Sequence, residues 1–452
     1  MFFSIATFIL CVIFGWILGI FSGLVPGIHV NNISVILVAS SAIFYEFQID
    51  TVHIASIILS CAISHTFHDI LPTIFLGAPG SDTALAVLPG HRLLMAGLGP
   101  FAVRISALSS IGSVIFSTIF IIPLGLFFYF FYDFVSSYMG LILLTAAILL
   151  IISADGLFDK IKTLFVFIIS GILGFYSFYI DGNFLSLGEN ASILMPILSG
   201  LFGASQLILS IMKYSEIPDS LLFSEKPSYK SLIKNSFIGS MSGAIVAWIP
   251  GISSSIATVY SIFIPESIVK FASFLGIVKK EPEFKFNSYM NMSYDSAKDY
   301  IMRISSINTS NAIFGLVAFF LINKSRNGAV IAINKLFLNA PEKISVINMD
   351  FLSLISLFLI FYIAIIICSF LSFFSTIEIG NKMTYFIQKI NYQLFSILTL
   401  IFLSSLILIF TGISGLIIFF ISILIGFLPI ILNVRKSSLM GVILIPVMFY
   451  FL

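Results

Sequence analysis

Runs of about twenty apolar residues recur along the whole of this 452-residue sequence, and a helix of that length crosses the hydrocarbon core of a bilayer. Charged residues make up 9% of the chain against 59% hydrophobic, so too few polar side chains remain to cover a water-facing surface. The chain reads as an all-α polytopic membrane protein of about 11–12 membrane segments, several of them interrupted. The first run, from Phe2 to Ile20, has no basic flank and no small-residue cleavage site, which predicts a retained span rather than a removable leader. Cys11, Cys61 and Cys368 lie inside apolar runs without metal-like spacing and imply no disulfide framework. A net charge of +2 gives no reason to expect nucleic acid.

The placement of charge says more than its sum. Basic residues collect at Arg92 and Arg104, at Lys160 and Lys162, from Lys213 to Lys234, from Lys279 to Arg303, at Lys382 and Lys389, and at Arg435 and Lys436. Acidic or neutral connections alternate with them, at Asp50, Asp133, Asp181 to Glu189 and Glu342 to Asp350. The positive-inside rule makes the first set cytoplasmic and predicts a multi-pass protein of the plasma membrane.

Two stretches resemble each other. Residues 19 to 32 read "GIFSGLVPGIHVNN" and residues 239 to 255 read "GSMSGAIVAWIPGISSS"; both run Gly-x-x-Ser-Gly, then Pro-Gly-Ile, then polar residues. Downstream, "ISHTFHDILPTIFLGAPGSDTALAVL" (63 to 88) overlays "SINTSNAIFGLVAFFLINKSRNGAVIAI" (306 to 333), setting His65 and His68 against Asn308 and Asn311, and Ser81-Asp82 against Ser325-Arg326. Loop charge sets the two stretches in opposite membrane senses, which predicts inverted-topology repeats with Pro-Gly-broken or re-entrant helices. The expected division is a first repeat plus following spans over 1–212, a cytoplasmic linker over 213–235, a second repeat over 236–375 with a cytoplasmic insertion at 279–303, and C-terminal spans over 376–452.

Proline removes a backbone donor and glycine relaxes the dihedrals, so Pro26-Gly27 and Pro250-Gly251 break their helices and free amide and carbonyl groups. Such backbone persists at membrane depth only inside protein or around a wet cavity. His29, Asn31 and Asn32 follow the first break, and Ser253 and Ser254 the second, so both breaks are candidate substrate and ion sites. Pro79, Gly80, Ser81 and Asp82 lie in a third interrupted stretch expected to line the same cavity. His65 and His68 stand three apart on one helical face with Asp69 adjacent. They form either a satisfied structural pair or a proton or ion site, and too few ligands accompany them for zinc. Asn308, Thr309 and Asn311 complete the polar cluster of the second stretch, and Arg326 either pairs with an anion or ends a helix at the surface.

No nucleotide-binding loop, nucleophile elbow or zinc-protease motif occurs, which favours a secondary transporter over a pump or an enzyme. The ordered set "SGLVPGIHVNN", "LGAPGSDTALAVLPGHRLLMAGLGPFAVRISALSSIGS", "SGAIVAWIPGISSS", "NKSRNGAVIAI" and "GFLPIILNVRKSSLMGVILIPV" resembles the tripartite tricarboxylate transporter large membrane subunit (TctA) family, especially its archaeal branch. The resemblance implies elevator-like or rocking alternating access and symport of a small organic anion, a di- or tricarboxylate, with Na+ or H+ and no other cofactor. It also implies Asn31, Ser81 and Ser253 as ligands beside the Pro-Gly pairs. Its bacterial members work with an accessory small subunit and a binding protein, and a homodimer is among the expected assemblies. The sequence departs from the bacterial pattern at "HTFHD" and "PGIHVN", where the extra histidines point to proton coupling or a different anion. Two rivals are a translocase of a polyprenyl-phosphate or other lipid-linked phosphate, and a subunit that assembles without transporting.

Overall fold

The computed structural model describes residues 4–25, 30–77, 82–152, 154, 156–181, 193–212, 227–248, 254, 257–258, 261, 293–325, 327–340, 346, 349–388 and 392–451. Among them every regular element is helical. The first half supplies α1 (Ile5–Leu24), α2 (Val30–Ala39), α3 (Ser41–Glu46), α4 (Thr51–His68), α5 (Ile70–Phe75), α6 (Val87–Met95) and α7 (Gly99–Ser137), followed by α8 (Met139–Ile152), α9 (Leu157–Asp181), α10 (Leu194–Leu198) and α11 (Ser205–Met212). The second half supplies α12 (Tyr229–Trp248), α13 (Tyr294–Ile322), α14 (Gly328–Asn339), α15 (Phe351–Gln388), α16 (Tyr392–Ile431) and α17 (Gly441–Phe451).

Seven described helical spans are long and apolar enough to cross a membrane, and six shorter apolar helices accompany them. The chain is an all-α polytopic membrane protein. Local chemistry sets several helix starts: Ser4 caps α1, Asp50 accepts from the His53 N–H at 3.0 Å, Ser293 accepts from the Ser296 N–H at 3.1 Å, and Asn327 accepts from the Val330 N–H at 2.8 Å. Gly412, at φ 68°, interrupts α16 where a side chain would be strained.

Two helix pairs form the centre. Along α1, Gly15, Gly19 and Gly23 present a face without side chains to α4, and a Cβ at any of them would strike Ser60, Ser64 or His68. Along α12, Gly239 and Gly243 do the same against Ser306 and Ser310 of α13. Small residues four apart let helix backbones approach closely, the arrangement on which helix pairs in lipid depend. Each seam also carries a serine hydroxyl donating to a carbonyl of the glycine-bearing helix: Ser64 to Trp16 at 2.8 Å and Ser310 to Ser240 at 2.7 Å.

The seams relate the two stretches one residue out of step with the sequence overlay. Gly19 lies against Cys61 O and the Ser64 side chain, whereas Gly239 lies against Arg303 O and the Ser306 side chain. Gly23 meets His68 and Asp69, and Gly243 meets Ser310 and Asn311. In this packing register the counterpart of Asp69 is Asn311. Apolar helices overlay almost equally well after a small slip, whereas a glycine seam fixes the register sterically.

The flanking helices cross over. α7 follows the first stretch but packs on α13, through Ser106 to Ser305 at 2.7 Å, Ser113 to Ser306 O at 2.7 Å and Ser306 to Ser109 O at 3.0 Å. α15 follows the second stretch but packs on α4, through Cys368 Sγ to Ser60 O at 3.1 Å. α7 and α15 also meet each other, where Thr118 and Tyr362 share a 2.6 Å hydrogen bond. Outside this core, α9 packs on α17 and α11 on α16. Buried Lys436 joins them, donating to Phe202 O and Ser205 Oγ, each at 3.3 Å.

Burial separates the centre from the rim. The apolar window of the span Thr51–Phe75 is buried along its whole length, while α7, α15 and α16 expose residues such as Ile122, Phe130, Leu352 and Ile413. In a bilayer these exposed side chains face lipid, where an apolar surface carries no cost.

Candidate ion and substrate site between the interrupted helices

The α4–α5 span ends in a left-handed residue, Gly77, and α13 ends in another, Asn323, which accepts a positive φ at little cost. The first of these helices stops within largely apolar sequence, the second at the polar run Asn323–Asn327. The residues after each stop meet the partner stretch. Asp82 Oδ1 accepts the Ser254 N–H at 3.1 Å, joining the segment after α5 to the segment that follows α12. Gly328, which opens α14, lies so close to the Asn31 side chain of α2 that no Cβ would fit, joining the interruption after α13 to the one after α1. The interruptions thus pair crosswise.

Between these crossings α4 and α13 touch through polar groups. Asn308 Nδ2 donates to Asp69 Oδ2 at 2.8 Å, and the Thr66 and Thr309 hydroxyls stand 3.4 Å apart. Asn311 Nδ2 donates to Ser254 Oγ at 3.2 Å. The Thr73 hydroxyl donates to Asp69 O and pairs with the Thr83 hydroxyl, both at 2.8 Å, so a short hydroxyl chain links Asp69 to the neighbour of Asp82.

Asp69, Asp82, Ser254, Asn308, Thr309 and Asn311, all singled out in the sequence, therefore come together, and Asn31 stands at the second crossing. The hydrogen bonds of the histidines among the described residues go to other helices or back within α4. His65 Nδ1 pairs with Ser22 of α1 at 2.9 Å. His68 Nδ1 donates to Ser64 O at 2.7 Å, and its Nε2 pairs with Ser375 of α15 at 2.8 Å. Three residues apart on a helix, the two rings point to different neighbours and act as joints between helices. Among the described residues no three His, Cys, Asp or Glu side chains converge as metal ligands.

Pro26, Gly27, His29, Pro79, Gly80, Ser81, Pro250, Gly251, Ser253 and Arg326, together with the side chain of Asn32, lie outside the described residues. Several contributors carried no signal in the sequence. Thr66 and Thr73 read as ordinary hydroxyls in apolar helices. Trp248 ends α12, stacks on Phe128 at 4.9 Å and is buried, and its indole N–H finds no acceptor among the described residues. One of two tryptophans in the chain, standing two residues before Pro250, was the available clue.

Arg303, grouped by charge with the cytoplasmic insertion, lies instead within α13 and is buried. It donates to Asn235 Oδ1 at 2.6 Å and to Ser261 O at 3.0 Å, and Asn235 donates on to Asp299 at 2.8 Å. Its charge serves the α12–α13 pair rather than a loop, as a buried charge requires.

The sequence model of the tripartite tricarboxylate transporter TctA family matches residues 9–441. The chain is also 28% identical to an uncharacterized protein of Methanocaldococcus jannaschii, over 98% of this chain and 99% of that protein. No solved structure matches. A family match over nearly the whole length, on an all-α polytopic chain, establishes that this protein belongs to the tripartite tricarboxylate transporter TctA family, in the branch that its archaeal relative represents.

Proposed function

We propose that this chain is a secondary active transporter that moves a small organic anion, a di- or tricarboxylate, by symport with Na+ or H+. One observation carries the reading: polar side chains from both halves meet in the apolar interior where helices are interrupted, as Asp69 with Asn308 and Asp82 with Ser254. Polar groups inside a membrane are costly unless paired or wetted, and they concentrate where solutes pass. The two crossings differ in character. The one at Asn31 and Gly328 offers an amide and the start of α14, without a carboxylate among the residues just named, which suits an anion. The Asp69 and Asp82 crossing is acidic and suits the coupling cation.

On this reading the two stretches are inverted repeats, and Pro26, Gly27, His29, Asn32, Pro79, Gly80, Ser81, Pro250, Gly251, Ser253 and Arg326 remain candidate substrate- and ion-binding residues. Alternating access follows from an elevator-like shift of the interrupted segments against α7 and α15. A homodimer, an accessory small subunit and a substrate-binding protein are the partners expected on this reading. Burial of Asp69 and Asn308 favours a soluble anion over a lipid-linked phosphate, whose chain needs a groove open to the bilayer.

The test is uptake of labelled citrate and succinate into liposomes containing the purified protein, under imposed sodium or proton gradients. Gradient-dependent uptake that falls in Asn31→Ala and Asn308→Ala is the expected result. Absence of uptake of any di- or tricarboxylate under every gradient, with or without a binding protein, would sink the proposal.

A further inference from the structure

We propose that Lys436 is a positioning residue for the Asp82 crossing: it holds a π-helical turn of the outer helices, and that turn seats the segment carrying Asp82 and Thr83. The functional weight of that crossing rests on the transport reading above, whereas the mechanical link stands on its own contacts.

The turn is Ser199–Ala204, between α10 and α11, and all of its residues are buried. A π turn places an extra residue in the helical hydrogen-bond ladder, and such turns are frequent at functional sites. Both α16 and Lys436 hold this one. Against α16 the backbones close to glycine distance from each side: a Cβ at Gly200 would strike Ser422 and Phe419 O, and a Cβ at Gly426 would strike Leu201 O and Ser205. Lys436 Nζ donates to Phe202 O and Ser205 Oγ, each at 3.3 Å, and to Gln206 Oε1 at 3.5 Å. Lys436 is only 6% exposed. A methionine would fill the same space without the cost of burying an ammonium, so what the lysine adds is its set of directed donors to the turn.

The π turn packs in its turn on Ala84–Ala86, a short 3-10 turn that begins directly after Thr83. Leu201 and Phe202 share one buried apolar cluster with Ala84, Leu85 and Val87. One turn further on, Leu207 of α11 lies 3.6 Å from where a Cβ of Gly77 would stand, at the left-handed residue that ends the α4–α5 span. The outer helices therefore brace the interrupted segment both where it begins and where it ends. Asp82, which accepts the Ser254 N–H, lies between the two braces. A three-residue turn is too short to hold its own register, so what packs on it sets where Asp82 and Thr83 stand.

The experiment measures the rate of oxidative disulfide formation in the detergent-purified full chain, with Cys11, Cys61 and Cys368 replaced by alanine and Asp82→Cys and Ser254→Cys introduced. Added Lys436→Met is expected to slow linking about tenfold, because a segment free to shift by about 1 Å spends less time in the narrow geometry a disulfide accepts. Ser205→Ala, which removes one acceptor of the lysine, slows it about twofold to threefold. Ser170→Ala, which removes a bond from α9 to Ser438 O, leaves the rate unchanged. A parent pair that does not link, or parental rates in Ser205→Ala and in any folded Lys436→Met protein, would overturn the assignment. So would equal slowing in Ser170→Ala and Lys436→Met, since Lys436 would then serve only the general stability of the outer helices. If Lys436→Met does not fold, Ser205→Ala decides. Linking slowed as expected in a protein whose wild type moves no carboxylate would refute only the transport reading.

Discussion

The α1–α4 and α12–α13 pairs share a frame and differ in cargo. Both place glycines four apart against serines, and both donate a serine hydroxyl across the seam. At matched positions, however, α4 and its C-cap carry Cys61, His68 and Asp69 where α13 carries Arg303, Ser310 and Asn311. A steric frame tolerates no change at the glycines but is indifferent to what its other positions carry. Matched architecture can therefore hold a carboxylate on one side and an amide on the other, and the chemistry particular to this transporter concentrates on α4.

The largest effect that would test the comparison concerns stability. Arg303→Ala strips a charged donor from two buried acceptors and is expected to cost about 3 kcal/mol in unfolding measurements. Cys61→Ala at the matched position removes only a small buried group and costs about 1 kcal/mol. Equal losses would mean that α4 and α13 do not divide their roles as described.

Next comes transport. Asp69→Ala is expected to lower gradient-driven uptake about 100-fold, against about tenfold for Asn311→Ala, since it removes the carboxyl oxygen that pairs with Asn308 between the two halves. A reversed order would place the particular chemistry on α13.

The shared frame predicts matched effects of Gly19→Val and Gly239→Val, each destabilising by about 1–3 kcal/mol through overpacking. A neutral result at either glycine would break the equivalence of the seams. The smallest effect is expected at the flanks. Ser113→Ala and Cys368→Ala each remove one bond from a crossed-over helix and should cost about 0.6 kcal/mol, the scale of single hydrogen bonds between helices in membranes.

Much of this was legible in the sequence because hydropathy is local. The apolar runs gave the all-α membrane class, and the repeated Gly-x-x-Ser-Gly drew attention to α1 and α12. What those glycines do was not legible, since their function lies in Ser64 and Ser306, tens of residues away on other helices. Asp69 and Asn308 each stood out alone, but nothing along the chain says that they meet. His65 and His68 were legible as neighbours on one face yet not as joints to α1 and α15, because facing depends on which helices pack there. Arg303 was misplaced for a related reason: charge reads as surface until Asn235 and Asp299 arrive to bury it.

The central claim is that the interrupted segments pair crosswise and that transport passes through the crossing. Replacing Cys11, Cys61 and Cys368 with alanine and introducing Asp82→Cys with Ser254→Cys tests both parts in one liposome uptake measurement. Oxidation is expected to link the pair and abolish the uptake that remains, and reduction to restore it. Failure of the pair to link, or unchanged uptake once it is linked, would contradict the account.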